Sequence, residues 1–359
     1  MSNIARQFPN RKIRVLVVDD SAIVRRLLTD TISAEPDMEV IGTAPDPFIA
    51  RDKILSLQPD VLTLDIEMPR MNGLTFLKKL MVYQPMPVIV ISSLSQASCE
   101  ISMEALRCGA VDVMGKPDGP YSIGDLRHAL ASKLRAAVHA RIRKPVADTV
   151  SMRPPAHPTR PLLNHSFGEN TVLAIGASTG GTEAIREVLK ALPASVPGIV
   201  IAQHIPPVFS AAFASRLNRL CALEVKEAQD GDEVQPGRAF VAPGNFHMIL
   251  RRTGGRYRIE IQDGPMVCYQ RPSVDVLFSS VAEAAGNKAI GILLTGMGTD
   301  GAQGLLRMRQ TGARTIAQDE ESCIVYGMPR EAAKLGAAEQ VLPLSSIASA
   351  ILYQTSALA

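Results

Sequence analysis

Residues 13–21, Ile-Arg-Val-Leu-Val-Val-Asp-Asp-Ser, give the clearest indication of the fold of the first half of the chain. Its mainly apolar run, Ile13–Val18, indicates a strand that is buried on both faces. Similar runs follow at Val40–Gly42, Val61–Leu64, Val88–Ile91 and Val111–Met114. The stretches with helical period are Ser21–Ser33, Pro47–Leu57, Leu74–Val82, Ala97–Cys108 and Ile123–Arg141. Strands alternating with helices predict a doubly wound α/β domain with a five-stranded parallel sheet.

A change in composition divides the 359-residue chain into two halves. Five prolines and a basic excess lie between Arg141 and Glu169, where few apolar residues recur with a regular period. Proline removes a backbone donor and disfavours helix at the residue before it, which is typical of an extended linker. We predict an N-terminal domain over 12–135, a linker over 136–169 and a C-terminal domain over 170–355.

The second half also has an α/β pattern. Buried strands are predicted at Val172–Ile175, Ile199–Ala202 and Ile290–Leu294, and helices at Glu183–Ala191 and Val274–Ala285. Between Asp232 and Gln262 lie turns with Gly and Pro and three β-rich pieces, which are Arg238–Val241, His247–Leu250 and Tyr257–Ile261. This pattern predicts a second, mostly parallel sheet with an antiparallel hairpin insertion.

Composition restricts the partners and the compartment. The net charge is only +3, there is no Trp and aromatic residues make up 4%, so stacking platforms for single-stranded nucleic acid are not expected. The five cysteines are scattered and odd in number, which fits a reducing compartment. No apolar run reaches the ~18 residues of a membrane span, and the first dozen residues lack a secretory signal. We expect a cytoplasmic protein without membrane insertion and without a nucleic-acid partner.

Polar side chains follow four of the predicted strands in the first half. Asp19 and Asp20 follow the first strand, Asp65 the third, Ser92 the fourth and Lys116 the fifth. Because ligands bind at the carboxyl ends of parallel strands, these groups are expected to meet at one edge. Three clustered carboxylates repel one another unless a cation is present, and hard oxygen ligands suit Mg²⁺. Asp65, in the middle of the edge, is a candidate carboxylate nucleophile that forms an acyl phosphate.

The first half of the chain resembles the receiver domain of two-component response regulators. The residues that carry the resemblance are 13–21, Asp65-Ile66-Glu67-Met68-Pro69-Arg70-Met71-Asn72-Gly73, Ser92 and Lys116-Pro117. The resemblance covers about residues 13–135. It implies that Asp65 accepts a phosphoryl group from a histidine kinase and that Asp19, Asp20 and Asp65 hold Mg²⁺. It also implies that Ser92 and Lys116 respond to the phosphorylated state, so that the second half is the output of a switch.

A Gly-rich turn, Gly176-Ala177-Ser178-Thr179-Gly180-Gly181, follows the first strand of the second half. Such a turn can cradle the pyrophosphate of a dinucleotide at a helix N-terminus. That interpretation requires an acidic residue at the end of the next strand, which instead ends in Gln203-His204. In the other interpretation, the turn presents the Ser178 hydroxyl as a nucleophile above the sheet.

Two further strand ends supply partners for this serine. His204 would take the serine proton, and Asp300, after the strand Ile290–Leu294, would accept the other imidazole N–H and fix its tautomer. The loop that contains Asp300 is rich in glycine, so its amides, including that of Met297, can face a developing oxyanion. Each residue alone is more often a cap, a turn former or a strand-end residue. Together, at three strand ends of one sheet, they favour hydrolysis.

These segments resemble the chemotaxis protein-glutamate methylesterase family. The match includes the Ser178 turn, Gln203-His204-Ile205-Pro206, Ala242-Pro243-Gly244 and the segment Leu294–Ala302. It implies Ser178 as nucleophile, His204 as general acid/base, Asp300 as the orienting residue and Met297 as a backbone oxyanion donor. The expected substrates are glutamate methyl esters and glutamines on methyl-accepting chemoreceptors. The expected regulation is steric, with the unphosphorylated receiver domain covering the Ser178 cleft.

Two other functional classes remain open from the residues alone. A transcriptional regulator requires a basic recognition helix, and the sequence has neither a helix-turn-helix pattern nor a strongly basic charge. A DNA shift assay at a stated salt concentration would test it. A nucleotide-binding oxidoreductase requires the acidic residue that Gln203-His204 replaces, and a fluorescence titration of cofactor binding would test that class.

Overall fold

A computed structural model describes residues 11–93, 95–116, 123–142 and 170–357 of the chain, with side chains from residue 127 onward in the third range and without those of Gln96 and Ala357. The first domain is built on five parallel strands in the order β2-β1-β3-β4-β5. Its strands are β1 (Ile13–Val18), β2 (Met38–Ala44), β3 (Val61–Asp65), β4 (Val88–Ser92) and β5 (Asp112–Gly115). The five-stranded parallel sheet predicted from the sequence is confirmed.

Five helices cover both faces of this sheet. They are α1 (Ala22–Ser33), α2 (Pro47–Leu57), α3 (Gly73–Tyr83), α4 (Gln96–Arg107) and α5 (Ile123–Val138). Local sequence fixes the start of several of them, because Ser21, Asp46 and Asn72 each accept a hydrogen bond from the first turn of the helix that follows. All side chains of β3 and β4 are buried, as continuous apolar strands between two helical layers require.

The second domain contains seven parallel strands in the order β14-β13-β12-β6-β7-β9-β8. These are β6 (Val172–Ala177), β7 (Gly198–Gln203), β8 (Glu224–Glu227), β9 (Arg238–Val241), β12 (Ala289–Leu293), β13 (Arg314–Gln318) and β14 (Gln340–Leu342). Its helices are α6 (Gly181–Lys190), α7 (Phe209–Leu220), α8 (Val274–Ala285), α9 (Ala302–Gln310), α10 (Met328–Lys334) and α11 (Leu344–Ala357). The three central strands, β12, β6 and β7, lie side by side.

The antiparallel insertion is smaller than the sequence suggested. Only β10 (His247–Thr253) and β11 (Arg256–Gln262) pair antiparallel, through the Gly254-Gly255 turn. The third predicted piece, Arg238–Val241, is β9, and it lies parallel to β7 within the large sheet. The short strand β8 was not predicted because its four residues, Glu224–Glu227, show no apolar run. Its pairing with β9 is decided by tertiary contacts.

The two domains pack against each other directly. Helix α4 of the first domain lies against α7 of the second, where Arg216 Nη1 donates to the carbonyl of Met103 at 2.8 Å. The backbone N–H of Arg141 donates to the carbonyl of Ile324 at 3.0 Å. The predicted linker, 136–169, overlaps the end of α5, and its residues 143–169 lie outside the described ranges. The domain boundaries therefore stay a prediction.

In the ranges that the structure describes, no helix combines the length and the apolar character needed to cross a bilayer.

Candidate active site

Three carboxylates meet at the carboxyl edge of the first sheet. One oxygen from each of Asp19, Asp20 and Asp65 lies within 4.8 Å of the others. Asp19 and Asp65 are fully buried, and Asp20 is exposed. The strands β1 and β3, which carry them, are neighbours at the point where the strand order reverses, which is where open α/β sheets bind ligands.

Lys116 neutralises part of this negative charge. Its Nζ lies 2.8 Å from Asp65 Oδ2 and 3.3 Å from Asp19 Oδ2. Burial nevertheless raises the pKa of Asp65 to about 6, because the hydrogen bond from Lys116 only partly opposes it and the charge of Asp19 adds to it. Burial also raises the pKa of Asp19. The cluster therefore holds more carboxylate than one ammonium can balance.

Two buried oxygens at this edge fit an added ligand. Ser92 Oγ is buried and has no hydrogen-bond partner among the described residues, and the buried Asp19 Oδ2 has the 3.3 Å ion pair with Lys116 Nζ but no shorter polar contact there. Such groups are costly unless something binds them. Three clustered carboxylates that one ammonium does not balance are a donor set that suits a hard divalent cation, and the residues present fit one. Pro117, the last residue of the predicted Lys116-Pro117 motif, lies outside the described residues.

Ser178 occupies the turn between β6 and α6. The turn is held by Ser178 N–H, which donates to the carbonyl of Thr295 at 3.0 Å, and by Gly181 N–H, which donates to the carbonyl of Ser178 at 2.7 Å. Gly180 has φ +78°, which favours glycine, and a Cβ on Gly181 would lie 2.1 Å from Gln203 Oε1. The turn is therefore tight, and Ser178 lies directly before the positive end of a helix dipole.

His204 and Asp300 form a buried pair beside this turn. His204 follows β7, Asp300 lies in the loop after β12, and His204 Nε2 lies 2.7 Å from Asp300 Oδ2. The imidazole is 7% exposed, and its Nδ1 has no hydrogen-bond partner among the described residues. With Asp300 accepting the Nε2 proton, Nδ1 is left as the free acceptor of the ring.

The N-terminus of α8 holds the carboxylate of Asp300. Asp300 Oδ1 accepts hydrogen bonds from Ser273 Oγ at 2.8 Å and from Asp275 N–H at 2.9 Å, and Oδ2 accepts one from Val274 N–H at 2.7 Å. Burial acts to raise the pKa of Asp300, but the hydrogen bond and charge of His204 and these amides outweigh it. The pKa of Asp300 therefore lies below its usual value. The carboxylate is charged near neutral pH and can stabilise an imidazolium.

Met297 lies in the loop between β12 and α9, which also contains Asp300 and lines the site next to the Ser178 turn. This loop runs close to the turn, since a Cβ on Gly296 would lie 2.6 Å from Ser178 Cβ. A cavity of about 860 Å³ is lined by Ser178, His204, Met297 and Asp300 together. The structure thus brings together the four residues that the sequence singled out in the second half.

One expected contact is not formed in this structure. No hydrogen bond joins Ser178 Oγ to the His204 ring within the described residues, although both line the same cavity. Hydrogen bonds between catalytic groups are often long before substrate binds, so this arrangement does not exclude proton transfer.

Two supporting residues were not assigned a role from the sequence. Ser273 caps α8 and donates to Asp300, and its position before an apolar helical stretch is the signal that marks it as an N-cap. Gln203 Nε2 donates to the carbonyls of Ser178 and His204 at 2.9 and 3.1 Å. Nothing in the local sequence indicates these two hydrogen bonds of Gln203, because they depend on how the Ser178 turn folds back over β7.

The first domain also reaches this site. Thr179, next to Ser178, donates from Oγ1 to Asp112 Oδ2 of β5 at 2.8 Å, and both side chains are buried. Asp112 is also paired with Lys133 of α5 at 2.8 Å. The cavity around Ser178 is lined by Lys116, His128 and Lys133 of the first domain as well. The Ser178 cleft therefore lies at the boundary of the two domains.

Both domains of this chain are similar to known proteins. The family model described as CheB methylesterase matches residues 173–351, and the model described as response regulator receiver domain matches residues 15–130. A protein-glutamate methylesterase/protein-glutamine glutaminase of Syntrophus aciditrophicus is 57% identical over 344 residues, which cover 95% of this chain and 98% of the relative. A protein of that name from Salmonella typhimurium is 51% identical over 348 residues, which cover 96% and 98%.

A solved structure is similar to the second domain. The catalytic domain of the Thermotoga maritima CheB methylesterase superposes with a TM-score of 0.51 at 37% sequence identity. It covers 52% of this chain and all of the compared chain.

Proposed function

This chain belongs to the family of CheB methylesterases that carry a receiver domain, and we propose that it hydrolyses glutamate methyl esters on methyl-accepting chemoreceptors under the control of phosphorylation. The same site would deamidate glutamines of those receptors. The reaction takes place in the cytoplasm, on the cytoplasmic helices of the receptors. The observation that carries this proposal is the buried His204–Asp300 pair, because His204 lines the same cavity as Ser178 and its Nδ1 has no hydrogen-bond partner among the described residues.

The first half of the reaction forms an acyl-enzyme. Ser178 Oγ attacks the γ-carbonyl carbon of the methylated glutamate while His204 Nδ1 takes the hydroxyl proton. Asp300 stabilises the resulting imidazolium through the 2.7 Å hydrogen bond from Nε2. The tetrahedral intermediate collapses when its C–O bond to the methoxy group breaks. His204 returns its proton to that oxygen, and methanol leaves.

The second half restores the enzyme. Water attacks the acyl carbon, His204 takes a proton from the water, and the bond to Ser178 Oγ breaks as His204 returns the proton to it. The product is a glutamate carboxylate. For glutamine the same steps release ammonia in place of methanol, because the imidazolium can protonate either leaving group.

Backbone N–H groups stabilise the oxyanion in both tetrahedral intermediates. We assign the amide of Met297 to this role, since its loop passes within van der Waals contact of the Ser178 turn. Such a donor contributes roughly 10²–10³ to the rate. The N-terminus of α6, directly after the turn, adds positive potential on the same side.

The first domain acts as the phosphorylation switch. Asp65 Oδ attacks the phosphorus of a histidine kinase's phosphohistidine, the P–N bond breaks, and an acyl phosphate forms on Asp65. Asp19, Asp20 and Asp65 would hold Mg²⁺, which neutralises phosphoryl charge when it is bound. Lys116 would pair with the phosphoryl group, and the buried hydroxyl of Ser92 would donate to one of its oxygens.

Regulation is steric in this proposal. The first domain lines part of the Ser178 cavity, and Asp112 binds the residue next to the nucleophile. Phosphorylation of Asp65 takes Lys116 away from its present partners, and Lys116 directly follows β5, the strand that begins with Asp112. The phosphoryl group therefore loosens the contact between the domains and opens the cleft.

Release of methanol from membranes that contain methylated chemoreceptors tests the proposal. Ser178→Ala abolishes release because no nucleophile remains, whereas Ser356→Ala, at an exposed position on α11, leaves it unchanged. Asp65→Asn keeps a basal rate that a phosphodonor cannot raise, whereas Asp30→Asn on the exposed face of α1 responds normally. Full release by the Ser178 variant would contradict the nucleophile assignment.

A further inference from the structure

We propose that four exposed apolar side chains around the Ser178 cleft form the surface on which the receptor helix docks, an inference that rests on the proposed function. The four are Val208, Phe246, Met266 and Tyr269, here called the cleft rim, and they are 40% to 77% exposed. Exposed apolar residues are ordinary when they are scattered, but a group around one cleft indicates an interaction site.

The cleft rim is carried by three loops, residues 205–208, 243–246 and 263–273, which contact one another. Loop 205–208 contacts loop 243–246, since a Cβ on Gly244 would lie 2.5 Å from Pro207 N. Asn245 N–H donates to the carbonyl of Arg271 at 3.0 Å, and Arg271 Nη2 donates to Asn245 Oδ1 at 2.7 Å. The rim is therefore one preformed surface, and an occupant does not have to order three separate loops.

The backbone of these loops is strained. Val208, Asn245, Cys268 and Tyr269 have φ values of 70°, 69°, 52° and 59°, a region that non-glycine residues rarely adopt. Strain of this kind persists where the surroundings enforce it, and it is concentrated at binding and catalytic sites. Val208 and Tyr269, two of these residues, are exposed, so a partner can contact them.

A helix is the occupant that fits, because this structure already places one there. The ring of Tyr269 stacks on that of His128 of α5, with the ring centroids 5.5 Å apart and the planes inclined by 26°. The rim is continuous with the cavity that contains Ser178, to which Met266 and Tyr269 also contribute. A helix on the rim can therefore extend a glutamyl side chain towards Ser178.

The charges that line the cavity favour a receptor helix that carries acidic residues. Arg271 lines the cavity from the catalytic domain, and its carboxylate partner, Asp263, is exposed. The only carboxylate that lines the cavity among the described residues is Asp300, which is buried and paired. Each turnover leaves a new glutamate carboxylate on the substrate, so a receptor segment with several such sites carries negative charge next to its apolar face. The receptor helix and α5 thus compete for the same rim.

Steady-state kinetics of the full-length chain with saturating phosphodonor tests the proposal with two substrates, receptor-containing membranes and the γ-methyl ester of a blocked glutamate. Phe246→Ser and Met266→Ser are expected to lower kcat/KM for the receptor, relative to the small ester, by roughly five- to tenfold, mainly through KM. Tyr353→Ser is the matched control, since that tyrosine is 77% exposed on α11 like Tyr269, but lies outside the cleft.

Tyr269→Ala separates the two uses of the rim. It is expected to raise the basal rate without phosphodonor, because the stack on His128 is lost, and to raise KM for the receptor when phosphodonor is present. Equal losses for both substrates, or an unchanged ratio in all rim variants, would overturn the docking proposal. So would a change in the oligomeric state of the rim variants without a change in KM. If the unaltered chain cleaves neither substrate, the proposed function itself fails.

Discussion

Each functional side chain owes its chemistry to neighbours that hold it in one protonation state and one position. Asp300 is ionised because three donors at the start of α8 and one imidazole N–H surround it, which is sufficient to outweigh the cost of burial. Asp65 is in the opposite situation, because burial dominates and its pKa rises to about 6. Asp300 is thus held in its charged form, whereas the charged form of Asp65 is destabilised and would be stabilised by a bound cation.

Asp300→Asn tests whether the Asp300 carboxylate keeps the imidazole proton of His204 on Nε2. An amide facing His204 Nε2 donates rather than accepts, which moves the imidazole proton to Nδ1 and removes the base. We expect kcat for methanol release to fall by about 10³- to 10⁴-fold with little change in KM. Thermal unfolding should accompany the assay, because the new amide also meets the N–H groups of α8. A variant that folds and keeps the original kcat would show that Asp300 does not orient the base.

At the scale of elements, glycine allows the central strands and helices to approach closely enough to form the site. Gly176 on β6 faces α8, and a Cβ there would lie 2.1 Å from Val274 Cγ1 and 3.1 Å from Phe278 Cζ. Since α8 also binds Asp300 through its first turn, the distance between β6 and α8 sets the distance between the Ser178 turn and the Asp300 carboxylate.

Gly176→Ala is therefore expected to separate β6 from α8. Overpacking of this kind costs about 1–3 kcal/mol, which lowers the unfolding midpoint of the domain by roughly 2–4 °C for each kcal/mol. Gly264→Ala is the matched control, because its added Cβ would lie 3.6 Å from His247 Cδ2, an ordinary contact. Scanning calorimetry measures both. Equal midpoints for the two variants would show that β6 and α8 tolerate the added methyl group.

At the scale of the whole molecule, the packing of α4 on α7 and the Asp112–Thr179 hydrogen bond place the receiver domain over the cleft. Both ends of that hydrogen bond are buried, and one is charged, so it contributes more than a surface contact does. It also completes a chain of contacts from Asp65 through Lys116 and β5 to Thr179, the residue beside Ser178.

Removing this contact should favour the open arrangement. Asp112→Ala and Thr179→Val are each expected to raise the rate without phosphodonor by about tenfold, the change that corresponds to ~1.4 kcal/mol. The double variant should be no more active than either single one, because both remove one interaction. Methanol release measures all three. Additive effects would indicate that the two side chains act separately.

Much of this protein could be derived from the sequence because parallel strands bring their carboxyl ends to one edge. The positions of Asp19, Asp65 and Lys116, and those of Ser178, His204 and Asp300, follow from counting buried strands and reading what comes after each. The order of the strands was not needed for this. It was enough that β12, β6 and β7 belong to one sheet.

The contacts that depend on how separate elements pack could not be predicted from the sequence and are seen only in the tertiary structure. No local pattern predicts that Ser273 donates to Asp300, that Arg238–Val241 joins the large sheet, or that Asp112 binds Thr179 across the domain boundary. Periodicity reports which face of an element is buried, but not what it is buried against. The chemistry of the site was therefore encoded in its residue types and spacing, whereas its support and its closure depend on long-range packing.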